Sequence, residues 1–423
     1  MRTAREVNHE VIILGGGPAG IAAAWAAADN GADVLLVERQ GFLGGMSTGG
    51  LLNVWCGDAS CGIYRTIRGQ TTEKRARRCV YSPESLKSLY IRELEKRGVS
   101  ILLHTEVIEA TLDNHRIRFV TLLGKGERIS AHADIFIDAT GDGELACYCG
   151  VPYQKGRPSD GLMQPVTLMF MVGGVEEKDA VYPTFGTHPK LEEQMAEYVQ
   201  SGKILSPAGH VILIEGFNHG TACVNMTNII RVDGTDVFHL TQAELLAQKQ
   251  VPQIITFLRE CVPGYENCYL LQTACYTGVR ETRHFAGEYC LSEQDIQNQT
   301  VFDDWVVSRA SACFGNHSLT GSGSDVNNLP YHGERYTIPY RSFLPKGVDN
   351  LFLCGRNISG THMAHSSYRV MPICFAMGQG VGTAAAVAVR DSLPIREVPV
   401  GEVQQLDRLV QQRDIPCHRL PYS

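Results

Sequence analysis

The stretch that most constrains the fold runs from Val11 to Gly50. Val11-Ile-Ile-Leu14 is an unbroken apolar run, the signature of a short buried strand. Gly15-Gly-Gly17-Pro18-Ala19-Gly20 follows as a tight turn and opens an Ala-rich helix that stops near Asp29-Asn30-Gly31. A second apolar run, Val34 to Val37, closes on the acid Glu38. Strand, glycine turn, small-residue helix, strand and terminal acid together form the pattern of a dinucleotide site. In that pattern Gly15 permits the turn, Gly17 lets a pyrophosphate approach the backbone, and Gly20 lets helix and strand pack closely. The helix N-terminus offers free N–H groups to the pyrophosphate, and Glu38 stands where a carboxylate meets a ribose.

Gly44-Gly45-Met46-Ser47-Thr48-Gly49-Gly50 follows soon after that acid. A second glycine cluster lets backbone wrap another part of the same ligand, which suggests a longer, more buried dinucleotide such as FAD. Here the chain resembles the flavoprotein superfamily that includes glutathione reductase and the fumarate reductase flavoprotein. Its nearest likeness is to the group of FAD-dependent oxidoreductases related to the flavin domain of heterodisulfide reductase. The resemblance also rests on Asp138-Ala139-Thr140-Gly141-Asp142-Gly143 at a strand end, on Gly278 to Arg283, on Ile338-Pro339-Tyr340-Arg341, and on Asn350 to Gly382.

The likeness implies an α/β fold: a discontinuous FAD-binding Rossmann-like domain of the three-layer ββα type with an inserted α+β substrate domain. The expected division is 1–150 plus 337–395 for the FAD domain, 151–336 for the insertion, and 396–423 for a tail packing on the FAD domain. It implies cofactor contacts from Gly15, Gly17, Pro18, Ala19, Gly20, Glu38, Arg39, Gly45, Met46, Ser47, Thr48 and Val107. Further contacts are expected from Ala139, Thr140, Gly141, Gly355, Arg356, Asn357, Met371, Gly382 and Thr383. Pro372 suits the first turn of a long helix whose N-terminus would face the flavin. Thr48 and Gly49 stand near the place where fumarate reductases often tether flavin through histidine, so the FAD is expected to be non-covalent.

Elsewhere the sequence sets local expectations. Ser82-Pro83 should open a helix, and strands are expected near 99–110, 115–123 and 127–137. Residues 56–80 are basic and irregular, reading either as a solvated loop or as a mobile cover. Thr241-Gln-Ala-Glu244 has the form of a capping box, with Pro252 breaking or kinking the helix behind it.

The 44% apolar and 20% charged content is ordinary for a globular protein, and a net charge of −7 gives no drive toward nucleic acid or anionic membrane. No export signal is evident at the N-terminus given, so the expected location is cytoplasmic. None of the 14 cysteines forms a CxxC pair, and no metal-ligand spacing is present. No bound metal is expected.

Flavin chemistry needs a positioned substrate and one managed proton. Arg280, Arg283 and Arg369 are the candidates for holding a carboxylate, and His362 or His365 for the proton. The expected activity is hydride transfer between FAD and a small polar or carboxylated substrate, with a separate electron acceptor or donor. A non-redox or RNA-modifying flavoprotein, or an electron-transfer protein with an iron–sulfur partner, stays open as an alternative. So does homo-oligomerisation.

Overall fold

The computed structural model describes residues 5–75, 77–325, 329–330 and 333–412. Its central sheet is parallel where the sequence motif predicts it. Arg5–Leu14 lies between Val34–Val37 and Glu127–Asp138, pairing in parallel with both, and Ser100–Leu102 extends the sheet beyond Val34–Val37. The run expected over 99–110 is two strands. Ser100–Leu102 joins the parallel sheet, while Glu106–Asp113 begins an antiparallel meander through Arg116–Gly124.

Glu127–Asp138 connects the two parts. Its first half pairs antiparallel with Val120–Gly124, and its last residues, Phe136–Asp138, pair in parallel with Leu351–Leu353. A strand more than 200 residues later therefore completes the sheet begun at Arg5. The fold is mixed α/β with a mixed sheet.

Two helices cover the parallel strands, Pro18–Asp29 and Met371–Arg390. They meet through small residues. A Cβ on Gly378 would overlap the Ala19 carbonyl oxygen, and one on Gly382 would overlap that of Ala23. Met371–Arg390 is long and apolar enough to cross a membrane, but 94% of its apolar window is buried inside the protein.

A second hydrophobic core forms around a four-stranded antiparallel sheet ordered Leu213–Glu215, Thr221–Val224, Phe170–Gly173, Tyr269–Thr273. Helices Pro189–Gln200 and Val237–Cys261 pack on it. The second of these starts earlier than expected: Asp236 caps it by accepting from the N–H groups of Phe238 and His239, and Thr241 lies inside it. Pro252 does not end it either. Val251, Ile254, Ile255 and Leu258 are buried around the proline, and that packing outweighs one missing backbone bond.

The two cores do not divide at 151 and 336. Phe285, Leu291, Val306, Val307 and Tyr336 belong to the first core, and Leu51, Val54 and Val80 to the second. The reason is strand pairing: Trp305–Ser311 lies between Tyr336–Pro339 and Asp58–Ser60, tying this part of the expected insertion to the N-terminal region. Within 56–80 the chain forms the strand Asp58–Ser60, the helix Gly62–Thr71 and a hairpin of Thr72–Lys74 with Cys79–Tyr81. The tail forms the helix Val400–Gln412, with Val403 buried in the first core; residues 413–423 fall outside the described residues.

Two outcomes follow from this packing. Gly382→Ala should destabilise the protein by about 1–3 kcal/mol in denaturant titration, because its methyl group meets backbone that has no room to move. Asp407 is buried, and burial pushes its pKa up to about 7 against hydrogen bonds from Gln379 and Thr383. A raised carboxylate pKa gives stability that is fully present below the unfolded value of 3.8 and is lost as pH rises through about 7. Asp407→Asn should therefore gain Tm over the parent as pH goes from about 5 to about 8. A Tm difference independent of pH would contradict that account.

Candidate functional site

A cleft opens at the carboxyl ends of the parallel strands, lined by Leu14, Val37, Arg39, Val107, Thr140 and Glu144. Gly15 has φ of +102°, and a Cβ there would overlap the Ala139 carbonyl oxygen. A Cβ on Gly20 would overlap the Gly15 carbonyl oxygen. Both glycines are required by the protein itself. Gly17 differs: its backbone is extended and a Cβ would meet nothing within 4 Å. The open space beside Gly17, at the start of Pro18–Asp29, is the cradle a pyrophosphate would fill.

Glu38 accepts hydrogen bonds from the N–H groups of Gly16 (2.7 Å) and Gln40 (2.8 Å), which fixes its carboxylate at the turn. Arg39 lies 3.9 Å from Glu144 across the cleft. Burial, followed by the nearby Asp142 and Asp138, pushes the Glu144 carboxyl up to about 7.

The Ala-Thr-Gly-Asp-Gly turn is held from within. Asp138 accepts from the Thr140 hydroxyl (2.6 Å) and from the Ala146 N–H (2.9 Å), while Thr140 Oγ1 accepts from the Gly143 N–H (3.0 Å). Gly141 has φ of +87° and sits under the Arg356 guanidinium. Arg356 pairs with Asp142 at 2.8 Å and keeps Nη1 buried without a partner. Gly355 packs on Ala19 at the mouth of the N-terminal helix. The Met46 side chain lies against Gly50 and Gly278, joining the second glycine cluster to the chain that leads into Arg280.

Several expected cofactor residues have structural work for their side chains. Asn357 donates to the Asp138 carbonyl (2.9 Å) and accepts from the Cys354 N–H (3.1 Å). Ser47 donates to the Gly44 carbonyl (2.7 Å) and lies 3.0 Å from the Tyr90 hydroxyl, while Thr48 donates to the Leu43 carbonyl (2.7 Å). Gly45 has φ of +53°, and a Cβ there would come within 3.3 Å of the Gly17 Cα. Gly382 and Thr383, expected at the cofactor, are engaged in packing instead. Both lie well inside the buried helix, Gly382 packed on Ala23 and Thr383 bonded to the Gln379 carbonyl (2.8 Å) and to Asp407 (3.3 Å). Met371, in contrast, stands at that helix's first turn.

The histidines converge on Glu281. One carboxylate oxygen meets His284 Nε2 at 2.7 Å and His362 Nδ1 at 2.5 Å, and the other accepts from the Gln164 N–H at 2.9 Å. Burial works to raise the Glu281 pKa, but the bonds to His284 and His362 overcome it and hold the carboxyl well below its usual range. These three side chains place one ligand atom each within 4.8 Å of one another, which a divalent ion could bridge. The hydrogen bonds already account for their arrangement. His365 packs edge-on against His284 (5.0 Å) and Tyr368 (5.4 Å). Burial, then His284, keeps its pKa well below the ordinary histidine value, so its ring is neutral.

The three candidate arginines form a pair and an outlier. Arg280 donates to the Pro165 carbonyl (2.6 Å) and to Thr167 Oγ1 (2.9 Å). Arg369 donates to the Gly315 carbonyl (2.8 Å) and approaches Gln164 Oε1 (3.5 Å), leaving Nε buried without a partner. Both guanidiniums thus bracket residues 164–167. Burial and then the charge of Arg369 pull Arg280 down to about 9, which leaves it protonated at neutral pH. Arg283 instead donates to the Asp142 carbonyl (2.8 Å) and lies over the Tyr153 ring. It belongs to the edge of the dinucleotide cleft.

Gln164, His210 and His317 were not singled out in the sequence. They lie near this pair in space but on separate stretches, and no spacing rule connects them. All cysteines among the described residues are free.

The profile of the family described as FAD dependent oxidoreductase matches residues 10–406, and the chain belongs to that family. It is thus an FAD-binding flavoprotein and an oxidoreductase by family. Two curated relatives match locally. Thiamine thiazole synthase of Aeropyrum pernix is 49% identical over 41 residues, which is 10% of this chain and 15% of that protein. Dihydrolipoyl dehydrogenase of Vibrio cholerae is 44% identical over 52 residues, 12% of this chain and 10% of that protein. A geranylgeranyl bacteriochlorophyll reductase-like protein from Thermoplasma acidophilum is similar in fold, with a TM-score of 0.51 and 13% identity. That alignment covers 96% of this chain and 84% of the other.

Gly17→Ala separates ligand space from protein packing. The variant should keep the apoprotein Tm of the parent while its FAD affinity, measured by fluorescence titration, falls by about tenfold or more, since the methyl group fills only the cradle. Unchanged FAD affinity would remove the pyrophosphate from this position.

Proposed function

We propose that this flavoprotein moves a hydride between non-covalently bound FAD and a small polar, carboxylated molecule. One observation carries the reading: Arg280 and Arg369 bracket residues 164–167, and among the described residues neither forms an ion pair with a carboxylate. Desolvated cations without an ion-paired carboxylate are costly, and a substrate carboxylate would supply one. The likeness to glutathione reductase, fumarate reductase and heterodisulfide reductase flavoproteins, drawn from the motifs, agrees with this chemistry and remains part of the proposal. A separate, unidentified electron carrier completes the cycle.

Gly15, Gly20 and the open space at Gly17 would hold the pyrophosphate, Glu38 the ribose, and the start of Met371–Arg390 the flavin end. When bound, FAD supplies the hydride acceptor or donor. Arg280 and Arg369 would fix the substrate by its carboxylate, which limits the poses its reacting carbon can take. His362 is the better proton carrier of the two candidates. Glu281 holds its Nδ1 and leaves Nε2 for exchange, whereas burial keeps His365 neutral.

The experiment is anaerobic mixing of the purified FAD-loaded protein with small hydroxy and unsaturated acids, starting from oxidised and from reduced flavin. A matching acid should bleach or restore the visible flavin band. With that acid, His362→Asn should lower kcat by about 10²–10⁴-fold with little change in KM, and Arg280→Gln should raise KM. If Arg280→Gln keeps the parental kcat/KM on that acid, the carboxylate reading fails.

A further inference from the structure

The surroundings of Arg280 and Arg369 carry polar atoms that the reading above leaves unused. His210 is 2% exposed, and neither ring nitrogen makes a hydrogen bond, although the Asn225 backbone lies close by. Gln164 is 1% exposed and its Nε2 also lacks a partner, as do the buried His317 Nδ1 and Arg369 Nε. Four side chains with buried polar atoms left unpaired in one neighbourhood is an arrangement that folding alone does not favour.

These groups are tied to one another by short links. The rings of His210 and His317 lie 6.0 Å apart, and Phe185 packs against both at 5.2 and 5.1 Å. His317 lies two residues after Gly315, whose carbonyl takes the Arg369 bond, and Gln164 precedes Pro165, whose carbonyl takes the Arg280 bond. Gln164 itself reaches Arg369.

The charge balance leans positive: Glu281 acts on Arg369 through space, and no carboxylate acts on Arg280. Arg280 and Arg369 are both positive. Burial and then Arg280 bring His210 down to about 4, and burial with Arg280, His210 and Arg369 brings His317 well below its ordinary value. Both imidazoles are neutral near pH 7, each with one donor and one acceptor. The carboxylate nearest this group in the hydrogen-bond network, Glu281, has one oxygen occupied by His284 and His362 and the other by the Gln164 N–H. An anion would be welcome here. A cationic nitrogen would face two guanidiniums with no free carboxylate to receive it.

We propose that Arg280, Arg369, Gln164, His210 and His317 form the substrate site for an organic acid that carries a carboxylate and no cationic nitrogen. The class is hydroxy, keto and unsaturated acids, as opposed to zwitterionic amino acids. This rests on the hydride-transfer reading for calling the ligand a substrate, and names the class that reading left open. The arginines take the carboxylate, the neutral histidines and Gln164 exchange hydrogen bonds with uncharged oxygens, and Phe185 supplies an apolar wall.

The test is isothermal titration calorimetry of the FAD-loaded protein with pairs matched in size: lactate and alanine, succinate and aspartate, glutarate and glutamate. At least one acid should bind about tenfold or more tightly than its amino counterpart. Arg280→Gln and Arg369→Gln should each weaken that acid at least as much. Arg280→Lys, which keeps the charge but loses the planar fork, should fall between, and His210→Asn should weaken it with unchanged Tm. Equal or tighter binding of the amino acids, no binding of any acid, or variants that lose FAD while holding the acid normally would each overturn the proposal. Selective, arginine-dependent binding of an acid that never changes the flavin spectrum would leave this site standing and remove hydride transfer.

Discussion

The contact between Pro18–Asp29 and Met371–Arg390 is the constraint on which the rest depends. Gly378 and Gly382 let the second helix lie against the backbone at Ala19 and Ala23, closer than any side chain would allow. That approach fixes where both helices begin. One begins at the glycine turn and the other at Met371, and Gly355 reaches Ala19 from the returning strand Leu351–Leu353. Two helix N-termini are thereby brought to one end of the sheet, each with unpaired N–H groups. A long anionic dinucleotide suits such a place because both ends of it gain from the same packing.

The parts of this account that were legible in the sequence are those with local causes. Val11 to Glu38 specifies strand, turn and helix through contiguous residues, and the backbone at Gly15 and Gly20 needs glycine for reasons internal to the motif. The return of the chain at Leu351 was legible because an apolar run followed by glycine repeats the first pattern. What escaped was set by distance. Trp305–Ser311 joins Asp58–Ser60 across about 250 residues, so the boundary between the cores follows a pairing that no local composition shift marks. Arg280 and Arg283 are neighbours in sequence, yet their side chains serve different sites, one bonded near Thr167 and the other at Asp142. Gly382 and Thr383 carried the right residue types for a ligand contact, but helix phase and burial turn them to packing.

The candidate reaction centre is organised by a single carboxylate. Glu281 gathers His284 and His362 and anchors Gln164, so the acid in this region is fully engaged and the two arginines beyond it are left positive. In the proposed function this division would give proton handling and anion binding to separate groups. Neutral His365, packed on His284, adds shape without adding charge. On that proposal, the electrostatics of the region would select ligands before any contact with the cofactor is considered.

The measurement that tests the central claim most directly is a crystal structure of the protein purified with FAD. The account predicts the pyrophosphate in the space beside Gly17, the ribose on Glu38, and the isoalloxazine ring between the first turn of Met371–Arg390 and the arginine pair Arg280 and Arg369. A flavin bound elsewhere, or one whose ring lies away from those arginines, would contradict it.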